Sequence, residues 1–110
     1  MMIEGAGKAL IIFIGESDHH HKQKPLYTAI VELAREKGLA GATVTRGIMG
    51  FGATSRVHTA SILRLSEDLP VRIEIFDKAE RIDAFVPLLH DMVAEGLVVT
   101  YDVNIELYRH

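Results

Sequence analysis

The chain has 110 residues, 48% of them apolar and 25% charged, with 12 Lys plus Arg against 15 Asp plus Glu for a net charge of −3, and it has no cysteine. This is too hydrophobic for a disordered chain and too short for two ordinary domains, so residues 1–110 are expected to form one domain that buries roughly two-thirds of its unfolded surface. The acidic balance argues against nucleic-acid binding through a basic surface, and the missing cysteines exclude a disulfide framework, a zinc–thiolate site and a thiol nucleophile. The longest apolar run, Ala9 to Ile14, has six residues, too few for a membrane span or a signal-peptide core, so a soluble cytoplasmic protein is expected.

Residues 1–7 are small and glycine-containing and read as an N-terminal extension. Leu10-Ile11-Ile12-Phe13-Ile14, stopped by Gly15, predicts a first strand over 8–14 that is buried on both faces. The next ten residues are polar and include His19-His20-His21. Pro25 suits a helix start, where its missing N–H would have had no partner, and Leu26, Ala29, Ile30, Leu33 and Ala34 form an amphipathic stripe that Gly38 ends. Alternation around Thr43-Val44-Thr45 predicts a second strand over 41–48. Residues 49–68 have no sustained period, and a connection of this length in a small domain usually carries function.

Pro70 then opens a third strand, with Val71, Ile73 and Ile75 on one face and Arg72 and Glu74 on the other. Asp77 and Glu80 are spaced as a helix N-cap and its N3 partner. Ile82, Phe85, Val86, Leu89 and Val93 continue as a helical stripe closed by Gly96, with Pro87 expected to bend it. Leu97 to Val103 predicts the fourth strand, and Ile105 and Leu107 prolong its alternation as an extension or a short fifth strand.

The order β-α-β-β-α-β is the ferredoxin-like plan, an α+β two-layer sandwich with an antiparallel sheet and both helices on one face. The first strand is apolar on both sides, with Leu10, Ile12 and Ile14 on one and Ala9, Ile11 and Phe13 on the other. Something must therefore cover the second face. A further copy of the chain is the economical cover and a homotrimer is expected, although a dimer satisfies the same arithmetic and the long loop or the C-terminal residues are the monomeric alternative.

The stretch Arg46-Gly47-Ile48-Met49-Gly50-Phe51-Gly52 carries the strongest chemical signal. Glycine backbone can present N–H groups to an anion, and Arg46, Arg56, His58 and Arg64 supply charge nearby. The expected ligand-binding set is Arg46, Gly47, Gly50, Gly52, Arg56, His58 and Arg64. The same glycines also suit a plain strand end with a hairpin arm. There is no Gly-Lys-Ser/Thr and no helix directly after the glycines, which excludes a Walker loop and a dinucleotide fingerprint.

His19, His20 and His21, beside Glu16 and Asp18, are donor types that suit zinc, nickel or copper. Adjacent side chains in an extended loop diverge, so a solvated polar loop is the competing reading. His90 and His110 read as surface residues. Thr54, Ser55, Thr59 and Ser61, with His58 and Asp68, offer hydroxyl nucleophiles without a Gly-x-Ser-x-Gly elbow, and Glu67-Asp68 reads as a turn. No catalytic residue is assigned and no enzymatic activity is expected.

Ile14-Gly15-Glu16, Lys24-Pro25-Leu26-Tyr27, Gly38 to Val44, Arg46 to Gly52 and Leu69-Pro70-Val71 together resemble domain-of-unknown-function family 190. These are bacterial and archaeal proteins placed among the PII-like, nitrogen-regulatory signalling proteins, and the resemblance spans residues 8–107. It implies a ferredoxin-like subunit, a trimer, and sensing of a small molecule without turnover. It also implies an adenine nucleotide (ATP, ADP or AMP) in a cleft between subunits, and a long loop, here 49–68, that signals to a partner protein. Gly47, Gly50 and Gly52 match the glycine-rich base of that loop, with Arg46 beside it. The chain departs from PII proteins in having only Glu95-Gly96 in place of a glycine-rich, lysine-containing second loop, only Arg109 and His110 for a basic C-terminus, and no tyrosine in the long loop. Genes of the family often lie near fluoride-export channels, which implies a membrane transport or channel protein as partner. The alternative is a divalent-metal-binding trimer resembling the cation-tolerance proteins of the same fold, with His19, His20 and His21 as ligands.

Overall fold

The structure, a computed structural model, describes residues 1–21, 23–52 and 68–110, together with the backbone of 58–59. Its elements in chain order are β1 (Met2–Gly15), β2 (His19–His20), β3 (Lys24–Pro25), α1 (Leu26–Glu36), β4 (Thr43–Arg46), β5 (Met49–Gly50), β6 (His58–Thr59), β7 (Pro70–Asp77), α2 (Ala79–Leu89) and β8 (Leu97–Arg109). Four strands form one sheet in the order β4-β7-β1-β8, each antiparallel to its neighbour. This is the expected ferredoxin-like α+β sandwich, with two small hairpins, β2–β3 and β5–β6, added in the connections.

Alternation decides which side chains enter the core. Leu10, Ile12 and Ile14 of β1 stand beside Ile75, Ile73 and Val71 of β7, and the six pack against Leu26, Ile30 and Ala34 of α1 and Ile82, Phe85 and Leu89 of α2. Each such large side chain contributes about 1.5–3 kcal/mol by leaving water. On the opposite face Ala9 and Ile11 are also buried, flanked by Phe76 and Tyr101 and by Glu74 and Val99. The outer members of that face are open: Phe76 is 44% exposed, Tyr101 48% and Leu97 52%.

The structure departs from the sequence reading at several places. Residues 1–7 are not a separate extension, because β1 begins at Met2 and pairs with a β8 that runs on to Arg109. The ladder crosses a bulge between Ile3 and Gly5, where Gly5 takes a φ of +95° that a side chain disfavours. Ile105 and Leu107 therefore extend the fourth strand and do not form a fifth. Tyr108 Oη donates to the Ala40 carbonyl at 2.9 Å and ties this ribbon to the connection after α1. β4 is shorter than the expected 41–48.

The second helix stops at Leu89 and does not continue as a kinked helix to Gly96. Pro87 has no N–H to give and its ring crowds the preceding turn. The backbone then closes with turn bonds from His90 to the Pro87 carbonyl and from Met92 and Val93 to the Leu89 carbonyl. Residues 90–96 thus form the connection to β8, longer than Glu95-Gly96 alone, while Val93 still packs on the core. Asp77 is not the N-cap either: that position is Lys78, with no side-chain cap bond. Asp77 is fully buried, and its carboxylate accepts the N–H groups of Lys78 (2.7 Å) and Ala40 (2.9 Å) with Arg81 Nε at 3.6 Å.

Candidate functional site

One end of the sheet gathers the last residues of β1 and β4 and the first residues of β7 and β8, because Gly15 pairs with Pro70, Arg46 with Val71 and Phe13 with Leu97. A cleft of about 600 Å³ opens there. Its floor is the chain from Arg46 to Gly50 laid against Pro70. A Cβ on Gly47 or on Gly50 would come within 2.9 or 3.0 Å of Pro70 Cγ, and the Gly47 N–H donates to the Pro70 carbonyl at 2.7 Å. These two glycines therefore permit a close approach of backbone to a proline ring, and the Gly47 N–H is already taken. Gly52 borders the same cleft with open space where a Cβ would be.

The walls are apolar and aromatic, with Phe13, Phe51 and Leu97, and the charged lining is Arg46, Arg72, Asp68 and Glu95. The Arg72 guanidinium lies 5.4 Å from the centre of the Phe13 ring and donates from Nε to Glu74 at 2.7 Å. Arg46 is ion-paired with Glu16. Asp68 accepts the Ser17 N–H at 3.0 Å and so braces the turn after β1. Gly96, at φ +152°, closes the far side, where a Cβ would stand 2.6 Å from the Phe13 carbonyl oxygen. The aromatic walls are the kind of surface on which a flat ring stacks, and Arg46 and Arg72, each paired with a glutamate, are the cationic groups of the lining.

Of the expected ligand-binding residues, the cleft brings together Arg46, Gly47, Gly50 and Gly52. The β5–β6 ladder places the His58 backbone opposite Gly50. Arg56 and Arg64 lie outside the described residues, as do Thr54, Ser55, Ser61 and Glu67.

The histidine run is folded into a hairpin, with His19 opposite Pro25 and His20 opposite Lys24. The rings of His20 and His21 lie 4.2 Å apart, and His21 has φ +60°. They border a second, shallower groove with Glu32, Glu36 and Met92, in which Glu32 is paired with Lys24. Asp18 accepts the Gly15 N–H at 2.9 Å and Glu16 serves Arg46, so neither is turned to the histidines. Among the described residues no three His, Asp or Glu side chains converge as a metal-binding group.

The family model described as "Uncharacterized ACR" matches residues 7–105. The chain belongs to the DUF190 family. A UPF0166 protein of Aquifex aeolicus (strain VF5) is 38% identical to this DUF190 chain over 98 residues, which is 89% of this chain and 91% of the relative. Among solved structures, CPII from Thiomonas intermedia K12, a nitrogen regulatory PII-like protein, resembles it with a TM-score of 0.67 at 17% identity, over 96% of this chain and 91% of CPII. That CPII structure is bound to ADP and bicarbonate. The divalent ion tolerance protein CutA1 of Ehrlichia chaffeensis resembles it with a TM-score of 0.61 at 10% identity, over 92% of this chain and 83% of CutA1. The DUF190 chain thus has a PII-like fold, and no helix among its described residues is long and apolar enough to cross a membrane.

Sequence reasoning missed Phe13, Arg72 and Glu95 as parts of this cleft in the DUF190 chain. In the sequence Arg72 stands on the polar side of an alternating strand and Phe13 on the sheet face that needs covering. Only the β1–β7 register, which sets Phe13 opposite Arg72, puts them at one site.

Proposed function

We propose that this DUF190 protein is a PII-like regulatory protein, a homotrimer that binds an adenine nucleotide in the cleft at the root of the 49–68 loop. It relays occupancy of that cleft through the loop to a partner protein, without turning the ligand over. The observation that carries this reading is the juxtaposition of Arg46 and Arg72 with the Phe13 and Phe51 rings over a glycine floor. ADP in the similarly folded CPII supports the choice of ligand class. The open apolar row on the far face of the sheet supports the oligomer, since contiguous exposed apolar surface of this kind commonly marks a protein–protein interface. The resemblance to the family points to a membrane transport or channel protein as the partner.

Titration calorimetry with ADP tests the reading. Saturable binding is expected, weakened about tenfold or more in Arg46→Ala, because a charge-assisted bond to phosphate contributes about 1.5–3 kcal/mol. Undetectable ADP binding at millimolar concentration, or full affinity in Arg46→Ala, would overturn it. Stoichiometric zinc binding without ADP binding, lost when His19, His20 and His21 are replaced by alanine, would establish the divalent-metal alternative instead.

A further inference from the structure

Arg46 is not idle in this structure. Its guanidinium is held by the Glu16 carboxylate, which is 19% exposed where Arg46 is 61% exposed, so the acid is the enclosed partner and the arginine the one open to solvent. The turn that carries Glu16 is pinned through its backbone: the Glu16 N–H donates to the Leu69 carbonyl at 2.8 Å, the Gly15 N–H to Asp18 at 2.9 Å and the Ser17 N–H to Asp68 at 3.0 Å. None of these bonds involves the Glu16 side chain. The Glu16 backbone is therefore fixed beside Arg46, which lines the cleft, and an incoming anion competes with the carboxylate for the guanidinium.

Resting on the nucleotide reading above, we propose that Glu16 is an autoinhibitory counter-ion that sets the ligand threshold of the cleft, so that phosphoryl groups open it and simple carboxylates do not. An acid tethered beside its partner acts at an effective concentration on the order of millimolar. A free monoanion such as acetate forms the same type of pair and gains nothing over the tethered one. A phosphate group carries about −1.5 to −2 charges and three strong acceptor oxygens, and so wins on both charge and hydrogen bonds. The cleft lining strengthens this filter, because Asp68 and Glu95 offset Arg46 and Arg72 and leave no surplus positive charge to collect weak anions. Occupancy then frees the Glu16 carboxylate, a change next to the histidine hairpin that follows it.

The test is ADP calorimetry on the full chain and on Glu16→Gln and Glu16→Ala, each also made in an Arg46→Ala background. Competition predicts that removing the carboxylate tightens ADP about fivefold, the value of a partly exposed ion pair, and leaves Tm unchanged. In the Arg46→Ala background the gain should fall below about twofold, because there is no guanidinium left to release. A gain of equal size in both backgrounds, or unchanged or weaker ADP binding in both Glu16 variants while the wild type binds, overturns the autoinhibitory role and leaves the cleft reading intact. Absence of ADP binding in every variant overturns the cleft reading and the threshold with it.

Discussion

Asp77→Ala is expected to lower the unfolding free energy by about 2–3 kcal/mol and the melting temperature by roughly 10 °C or more. Asp77 is fully buried, and its two oxygens are the acceptors for the N–H groups of Ala40 and Lys78. Alanine leaves both donors without a partner and removes the anion beside Arg81. The cost falls on two connections at once, the segment from α1 to β4 and the start of α2. Asp77→Asn keeps one acceptor oxygen and should recover part of the loss. Thermal unfolding followed by circular dichroism checks this, and a melting temperature within about 2 °C of wild type for the alanine variant would show that the carboxylate does not bear on stability.

Val99→Asp is expected to convert the proposed homotrimer into a 12.2 kDa monomer. Val99 lies in the open row of β8 between Leu97 and Tyr101, across from the buried Ile11. A carboxylate placed in the middle of a covered apolar face has no partner there, and burying it unpaired costs several kcal/mol. The row faces away from both helices, so the substitution leaves the inner core untouched. Light scattering at micromolar concentration gives the mass. Wild type is predicted at three times 12.2 kDa, a wild-type mass of a single chain would remove the oligomer, and a variant that stays assembled would place the interface elsewhere.

The parts of this protein that were legible in the sequence are those governed by local period. Leu26 to Ala34 repeat as a helix and Val71, Ile73 and Ile75 alternate as a half-buried strand. Their pattern already states which face goes inward. What escaped the sequence is what depends on distant partners. The ribbon of Met2–Gly7 with Val103–Arg109 was hidden because glycines weaken the strand signal, and because each half needs the other for its hydrogen bonds. Asp77 has the spacing of a helix cap, and nothing nearby in sequence announces that Ala40 supplies its second donor.

The cleft divides in the same way. Arg46 and the glycines stood out as a motif, and the structure places Arg46, Gly47, Gly50 and Gly52 around one cavity. The physical role of Gly47 and Gly50 was not visible, because the Pro70 ring they accommodate is some twenty residues away in the chain. The three histidines show the opposite case: they form a dense motif, yet they sit in a hairpin in which only His20 and His21 border the groove.

The measurement that bears most directly on the central claim is an ADP titration of the ¹⁵N-labelled protein followed through its backbone amides. Saturable shifts are expected to concentrate at Arg46, Gly50, Phe51, Gly52, Gly96 and Leu97, residues that line the cleft. Shifts confined to residues 19–36 around the histidine groove, or no shifts at millimolar ADP, would contradict it.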